Sequence, residues 1–194
     1  MTKTIDFYFD FISPYTYIGH KRIEKEGNGI NFNYKPILLG GLHKLWNITP
    51  QAYIEPKKQF MIMDCEMVSK KFKIDFIFNS KFPLNTIKLM RGCLILENDQ
   101  LKKYIELVFD AYWKNNEDVT DNKVLSKILN QIDIKLEEFI EKIEKNDIKE
   151  KLKELTSDAF KKKIFGAPTF VINNKNFWGQ DRLEYAIEEF NSTS

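Results

Sequence analysis

The sequence has little of what would announce its chemistry. Cysteine occurs only at positions 65 and 93, each inside helix-like sequence, so neither a disulfide framework nor a Cys-x-x-Cys dithiol centre is available. Both are read as buried small apolar residues. Histidine also occurs only twice, and neither His20 nor His43 has a cysteine or second histidine at metal-ligand spacing, so no metal site is expected. Charge of one sign is lacking too: 30 Lys and Arg stand against 28 acidic residues, a formal +2. Such a balance excludes the field that would favour nucleic acid or an anionic membrane. Lys161-Lys162-Lys163 reads as a solvated, dipole-matched helix end. No apolar run approaches the length of a membrane span. The stretch from Met1 to Asp6 lacks a signal peptide's apolar core and cleavage site, so a cytoplasmic address is expected, or an organelle matrix in a eukaryote.

A hydrophobic content of 43% with 16 Phe and 8 Tyr marks a globular chain with a real core. Its 194 residues suffice for one domain, or for a small domain with another inserted in it. Ile5, Phe7, Phe9 and Phe11 alternate with polar or smaller-faced neighbours, the period-two pattern of a strand. Ser13-Pro14 is a cap followed by proline, which opens a helix that can run to Glu26 before Gly27-Asn28-Gly29. Ile30, Phe32 and Tyr34 alternate again, completing a βαβ unit over residues 1 to 40.

From 41 to 156 helical periods replace alternation. Phe60, Met63 and Met67 form one stripe, Leu101, Tyr104, Ile105, Val108 and Tyr112 another, and Leu136, Phe139, Ile140 and Ile143 a third. Breaks at 79–83, 98–99, 115–121 and 146–147 divide this block into five or six helices. The Phe60 stripe reads as core, with apolar lining of a cleft as the competing role. From 157 to 194 alternation returns: Thr169 to Ile172, a turn at Asn173-Asn174, and Asn176-Phe177-Trp178 make a hairpin. Asp181 with Glu184 reads as the capping box of a last helix whose stripe is Leu183, Ala186, Ile187 and Phe190. The ends βαβ and ββα together complete an α/β, thioredoxin-like fold with an inserted all-helical domain.

Three strings carry candidate chemistry in that frame. Ser13, taken alone, is a helix cap. It also follows a strand at a sheet's carboxyl edge, at the positive end of a helix, where thioredoxin folds place the attacking cysteine. A hydroxyl there cannot exchange disulfides, but it is suited to hold an external thiol as thiolate, because hydrogen bonding and the helix field both favour the charged form. Ala167-Pro168 precedes a strand, and a cis bond there would turn the Ala167 backbone outward to pair with a cysteinyl backbone. Asp181, beside that loop, can accept from the α-ammonium of a γ-glutamyl group. Glutathione has both handles. A Tyr15 or Tyr17 hydroxyl could assist, although each also reads as a packed aromatic. A Ser13-His20-Asp10 triad is rejected because His20 lies about two helical turns from Ser13.

Three groups of residues together resemble the 2-hydroxychromene-2-carboxylate isomerase and kappa-class glutathione transferase family, a disulfide-oxidase-like branch of the thioredoxin superfamily. They are Asp10-Phe11-Ile12-Ser13-Pro14-Tyr15, Phe82-Pro83-Leu84-Asn85-Thr86 with Leu89-Met90-Arg91, and Gly166-Ala167-Pro168-Thr169-Phe170 through Phe177-Trp178-Gly179-Gln180-Asp181-Arg182. The resemblance covers nearly the whole chain. It implies that Ser13 bonds the glutathione sulfur, that Ala167 beside Pro168 pairs with the cysteinyl backbone, and that Gln180 and Asp181 hold the γ-glutamyl end. Asn85 would line the cleft from the helical side. Lys57 or Lys58, after Pro56, is similar to the family lysine that meets the glycyl carboxylate, with Lys57 preferred.

The activity implied is a glutathione-dependent cis-trans isomerase acting by reversible thiolate addition to a conjugated aromatic substrate, in aromatic compound catabolism. The alternatives are a kappa-like transferase or peroxidase using a small electrophilic substrate, and a non-catalytic glutathione-binding protein. By the same resemblance the chain is expected to be a homodimer.

Overall fold

A computed structural model describes residues 3–192; residues 1, 2, 193 and 194, the outer ends of the two expected thioredoxin-like segments, lie outside the described residues. The chain begins with β1 (Ile5–Phe9), α1 (Pro14–Glu26) and β2 (Phe32–Pro36), and ends with β3 (Thr169–Ile172), β4 (Lys175–Trp178), a 3-10 turn (Gln180–Arg182) and α9 (Leu183–Ser192). The sheet order is β2-β1-β3-β4, parallel between β1 and β2 and antiparallel elsewhere. Phe7 is paired with Tyr34 on one side and Phe170 on the other. This is the thioredoxin-like α/β arrangement expected from the two ends.

Central β1 explains why the run Ile5 to Phe11 is so apolar. Ile5, Phe7, Phe9 and Phe11 are fully buried on one face, while Tyr8 on the opposite face joins a second cluster with Ile37, Leu42, Ala159 and Ile164. A strand covered on both faces has no solvent side to mark with polar residues. Each buried Phe contributes roughly 2–3 kcal/mol of transfer free energy.

Between β2 and β3 lie α2 (Leu39–Trp46), α3 (Glu55–Phe72), α4 (Ile87–Gly92), α5 (Asn98–Trp113), α6 (Asn122–Asn130), α7 (Leu136–Ile143) and α8 (Asn146–Lys161), with a 3-10 turn at Gln51–Tyr53. That is more helices than the breaks in the sequence delimit. Gly40-Gly41, read as a boundary, lies inside α2, because both glycines adopt helical backbone and Leu42 anchors the turn in the second cluster. Nor does a helix end at residue 156: α8 runs through it, and its Thr156 hydroxyl accepts from the Leu38 N–H. The main core is continuous from the sheet into α5, where Phe109 meets the rings of Phe9, Phe11 and Tyr17.

The Phe60, Met63 and Met67 stripe is not core. These side chains are 58%, 56% and 59% exposed, and α3 instead buries Met61, Cys65 and Ser69. Apolar residues occur on several sides of α3, so spacing alone leaves its rotation open.

Candidate functional site

At the carboxyl end of β1 the chain turns through Asp10-Phe11-Ile12 into α1. Asp10 is buried and anchors that turn: its carboxylate accepts from the Ile12 N–H at 3.2 Å, from the Leu39 N–H that opens α2 at 2.9 Å, and from the Thr86 hydroxyl at 2.7 Å. The Asp10 carbonyl also accepts from the Ser13 N–H at 3.1 Å. Burial pushes the Asp10 carboxyl upward, and these hydrogen bonds oppose that shift. One side chain thus fixes the first turn of α1 relative to α2 and to the segment before α4.

Ser13 is the N-cap of α1, its Oγ accepting from the Thr16 N–H at 3.2 Å, with Pro14 in the first turn. The same hydroxyl donates to the Ala167 carbonyl at 3.0 Å. Ala167-Pro168 is a cis peptide bond, and Phe82-Pro83 is a second one. The Gly179 N–H donates to the Pro168 carbonyl at 2.9 Å, which ties the proline loop to the turn that carries Gln180 and Asp181. Gly179 has a φ of +109°, a backbone conformation that favours glycine there.

These elements surround a cavity of about 1160 Å³. Ser13, Lys57, Ala167, Pro168, Gln180 and Asp181 all line it. Lys57 faces it while Lys58 does not, and Lys57 has no ion pair among the described residues. Asn85 is not brought to the cavity. It is exposed, and its Oδ1 accepts from the Ile87 N–H at 3.1 Å, so the side chain is spent on the start of α4; Phe82 and Pro83 line the helical side instead. Asp181 does not form the expected capping box. It lies inside the 3-10 turn, with α9 starting only at Leu183, and pairs with Arg182 at 3.5 Å.

Beside Lys57 and Tyr15, the cavity also recruits residues that sequence reading missed. Lys57, Met61, Asp64, Val68 and Lys71 form one stripe of α3, at successive helical turns, facing Tyr15 and Arg22 of α1. The spacing is visible in the sequence, but the competing Phe60 stripe hides it. The Tyr15 hydroxyl donates to Asp64 Oδ2 at 2.8 Å, and burial first, then the nearby Cys65 and Asp64, raise its pKa. Tyr17 is core and donates to the Asp75 carbonyl at 2.6 Å. His43 of α2 lines the cavity, and burial lowers its pKa. Cys65 and Cys93 are buried, and burial pushes both thiols upward, so neither offers a thiolate near neutral pH.

Behind α1, His20 is brought to Glu24 and Glu106, a group able in principle to hold a metal ion. Its ring nitrogens already meet the Tyr34 hydroxyl and Glu106, each at 2.6 Å, and the Lys21 ammonium sits on Glu106 and 3.0 Å from Asp110. The group is an internal ion-pair network. Among the described residues the His20 ring meets Tyr34 and Glu106, and the Ser13 hydroxyl meets Thr16 and Ala167. Among the described residues, no helix is long and apolar enough to cross a membrane.

The βαβ and ββα halves, the helix N-terminus and the facing cis-proline define a thioredoxin-like protein in which a serine hydroxyl stands where an attacking thiol would be. The match extends over residues 4–190, and the chain belongs to the DsbA-like thioredoxin domain family. It is 26% identical to a 2-hydroxychromene-2-carboxylate isomerase of Sphingobium xenophagum, covering 95% of this chain and 96% of that protein. It is 23% identical to glutathione S-transferase kappa 1 of Rattus norvegicus, covering 94% and 88%. A solved structure of a 2-hydroxychromene-2-carboxylate isomerase superposes with a TM-score of 0.89 at 23% identity, covering 97% of this chain and 95% of the other. The resemblance drawn from the three groups of residues is thus found over the full fold.

Proposed function

We propose that this protein is a glutathione-dependent cis-trans isomerase of the 2-hydroxychromene-2-carboxylate type. The observation that carries the reading is the Ser13 hydroxyl at the N-terminus of α1, bonded to the Ala167 carbonyl beside the cis-proline, on a cavity that Lys57, Gln180 and Asp181 also line. The residues present fit glutathione: a cation for the glycyl carboxylate, a backbone edge for the cysteinyl unit, and a carboxylate for the γ-glutamyl ammonium.

Bound glutathione would supply a thiolate that adds reversibly to a conjugated double bond, leaving a rotatable single bond until elimination restores the double bond. Ser13 stabilises that charge by turning its hydroxyl proton from the Ala167 carbonyl to the sulfur, and the partial positive charge of the α1 N-terminus adds to the effect. The Ala167 carbonyl, released by Ser13, becomes free to accept the cysteinyl N–H. Ile12, Leu39 and Pro83 give the cavity its apolar wall, and its volume leaves room for a small aromatic substrate to turn beside the thiol. Tyr15 and Asp64 stay paired at the α3 wall, orienting α3 and its Lys57.

Similarity to the kappa transferases favours a second reading, conjugation of glutathione to an electrophile or its use against a peroxide. Free-thiol titration during turnover of a cis-trans substrate separates the two: constant thiol supports the isomerase, and net loss supports the transferase. A cytoplasmic homodimer completes the proposal, with the exposed Phe60, Met63 and Met67 face of α3 as support for self-association. Sedimentation of the pure protein tests that part, a monomer at all concentrations overturning it.

A further inference from the structure

Arg22 is a buried guanidinium that the mechanism leaves unused. It lies on α1, on the side that carries Gly19, whose Cβ position is 3.4 Å from Pro168 and 3.7 Å from Gln180. Its side chain is almost completely enclosed, stacked over the Phe72 ring at 4.1 Å. Nε and Nη2 each donate to Glu26 at 2.7 Å, in a forked pair. Nη1 donates across the fold to the Gln180 carbonyl at 2.6 Å and to Gln180 Oε1 at 3.1 Å.

A guanidinium can only donate, so the amide end turned toward it has to be Oε1, and the Nε2 end is directed away. Gln180 is 6% exposed, lines the cavity, and its Nε2 finds no acceptor among the described residues. Glu26 meanwhile pairs with Arg22, and four of the five guanidinium N–H donors are engaged within the protein, by Glu26 and Gln180. We infer that Arg22 is a positioning residue: it holds Gln180 as a hydrogen-bond donor into the cavity, so that this subsite selects a carboxylate. On the glutathione reading, on which this rests, that group is the α-carboxylate of the γ-glutamyl unit, while Asp181 takes the ammonium. Without Arg22 the amide can present either end, and the preference for a carboxylate is lost.

Calorimetric binding of glutathione and of γ-aminobutyryl-cysteinyl-glycine, which lacks the α-carboxylate, tests the inference without any turnover. The unaltered protein is expected to bind glutathione ~10–100-fold more tightly than the analogue, the range for one hydrogen bond to a charged group. In Arg22→Met and in Gln180→Glu, which keeps the Arg22 contact but removes the donor, that ratio should fall to within about 3-fold. Lys57→Met should weaken both ligands alike and leave the ratio intact. If Arg22→Met does not fold, Arg22→Lys replaces it, retaining a charge for Glu26 without the fork, and the same fall is expected. A retained ratio in a folded Arg22 variant overturns the positioning role. Equal affinity of the unaltered protein for both ligands overturns the carboxylate subsite but leaves the glutathione reading standing, whereas no binding of either overturns both.

Discussion

The Ser13 hydroxyl donates to the Ala167 carbonyl at 3.0 Å, joining residues 154 positions apart in the chain. This bond closes the site from both sides, since Ser13 caps α1 and Ala167 precedes the cis-proline. On the proposed glutathione reading, a ligand thiol and a ligand N–H would replace this one internal hydrogen bond with two.

Replacing Ser13 with alanine should act on chemistry more than on folding. Loss of the cap and of the Ala167 bond should cost about 1–2 kcal/mol, read as a lower urea midpoint. The thiol of bound glutathione loses its donor, so its pKa rises, and each unit of rise removes roughly tenfold of the thiolate at neutral pH. Thiolate absorbance of the complex against pH is expected to move to higher pH, and an unmoved curve would remove Ser13 from the mechanism.

The two adjacent lysines should behave differently. Lys57→Met is expected to weaken glutathione binding by about tenfold, the scale of one charge-assisted contact, whereas Lys58→Met should leave it within about twofold. Titration calorimetry on both variants decides the matter. Equal effects would mean that the phase of α3 does not govern the site.

Glu106 should shape the acid limb of stability. Burial alone would raise its pKa, but hydrogen bonds from His20 and Lys21 outweigh it and hold the carboxyl well below its ordinary value. A depressed folded-state pKa contributes stability that is present above the unfolded value and lost as pH falls through the folded one. Urea midpoints of the unaltered protein should therefore drop more steeply below about pH 5 than those of Glu106→Gln. Parallel curves would show that the network around His20 contributes no pH dependence.

Two glycines should respond with opposite sign. At Gly92 an added Cβ would lie 2.6 Å from both the Phe139 ring and the Tyr104 hydroxyl, so Gly92→Ala should lose about 1–3 kcal/mol by overpacking. At Gly40, in the first turn of α2, nothing lies within 4 Å, and Gly40→Ala should raise stability by up to about 1 kcal/mol. Thermal melts of the pair compare the two directly.

Much of this was legible in the residues themselves. The alternation of Ile5 to Phe11, the Ser13-Pro14 cap and the Thr169 to Trp178 hairpin are local signals, carried by side-chain period and turn chemistry, and each element stands where its pattern places it. Asp181 shows where a local signal misleads, falling within a 3-10 turn instead of capping α9, and Asn85, placed at the cleft by resemblance, is drawn into a turn with Ile87. Which face of α3 meets the site was undetermined, because apolar side chains occur on more than one face and a helix's rotation is chosen by what packs against it.

By itself, then, the sequence determined the strands of the two ends, their order, the absence of a Cys-x-x-Cys dithiol and the Ser13-Pro14 cap of α1, all properties of residues near one another in the chain. Only the tertiary structure decided that Lys57 and not Lys58 meets the cavity, that Asp10 locks three segments together, and that Arg22 is hydrogen-bonded to Gln180. Those are contacts between residues far apart in sequence, and their directional hydrogen bonds exist only once the sheet has brought α1, α3 and the loop at Pro168 to one edge.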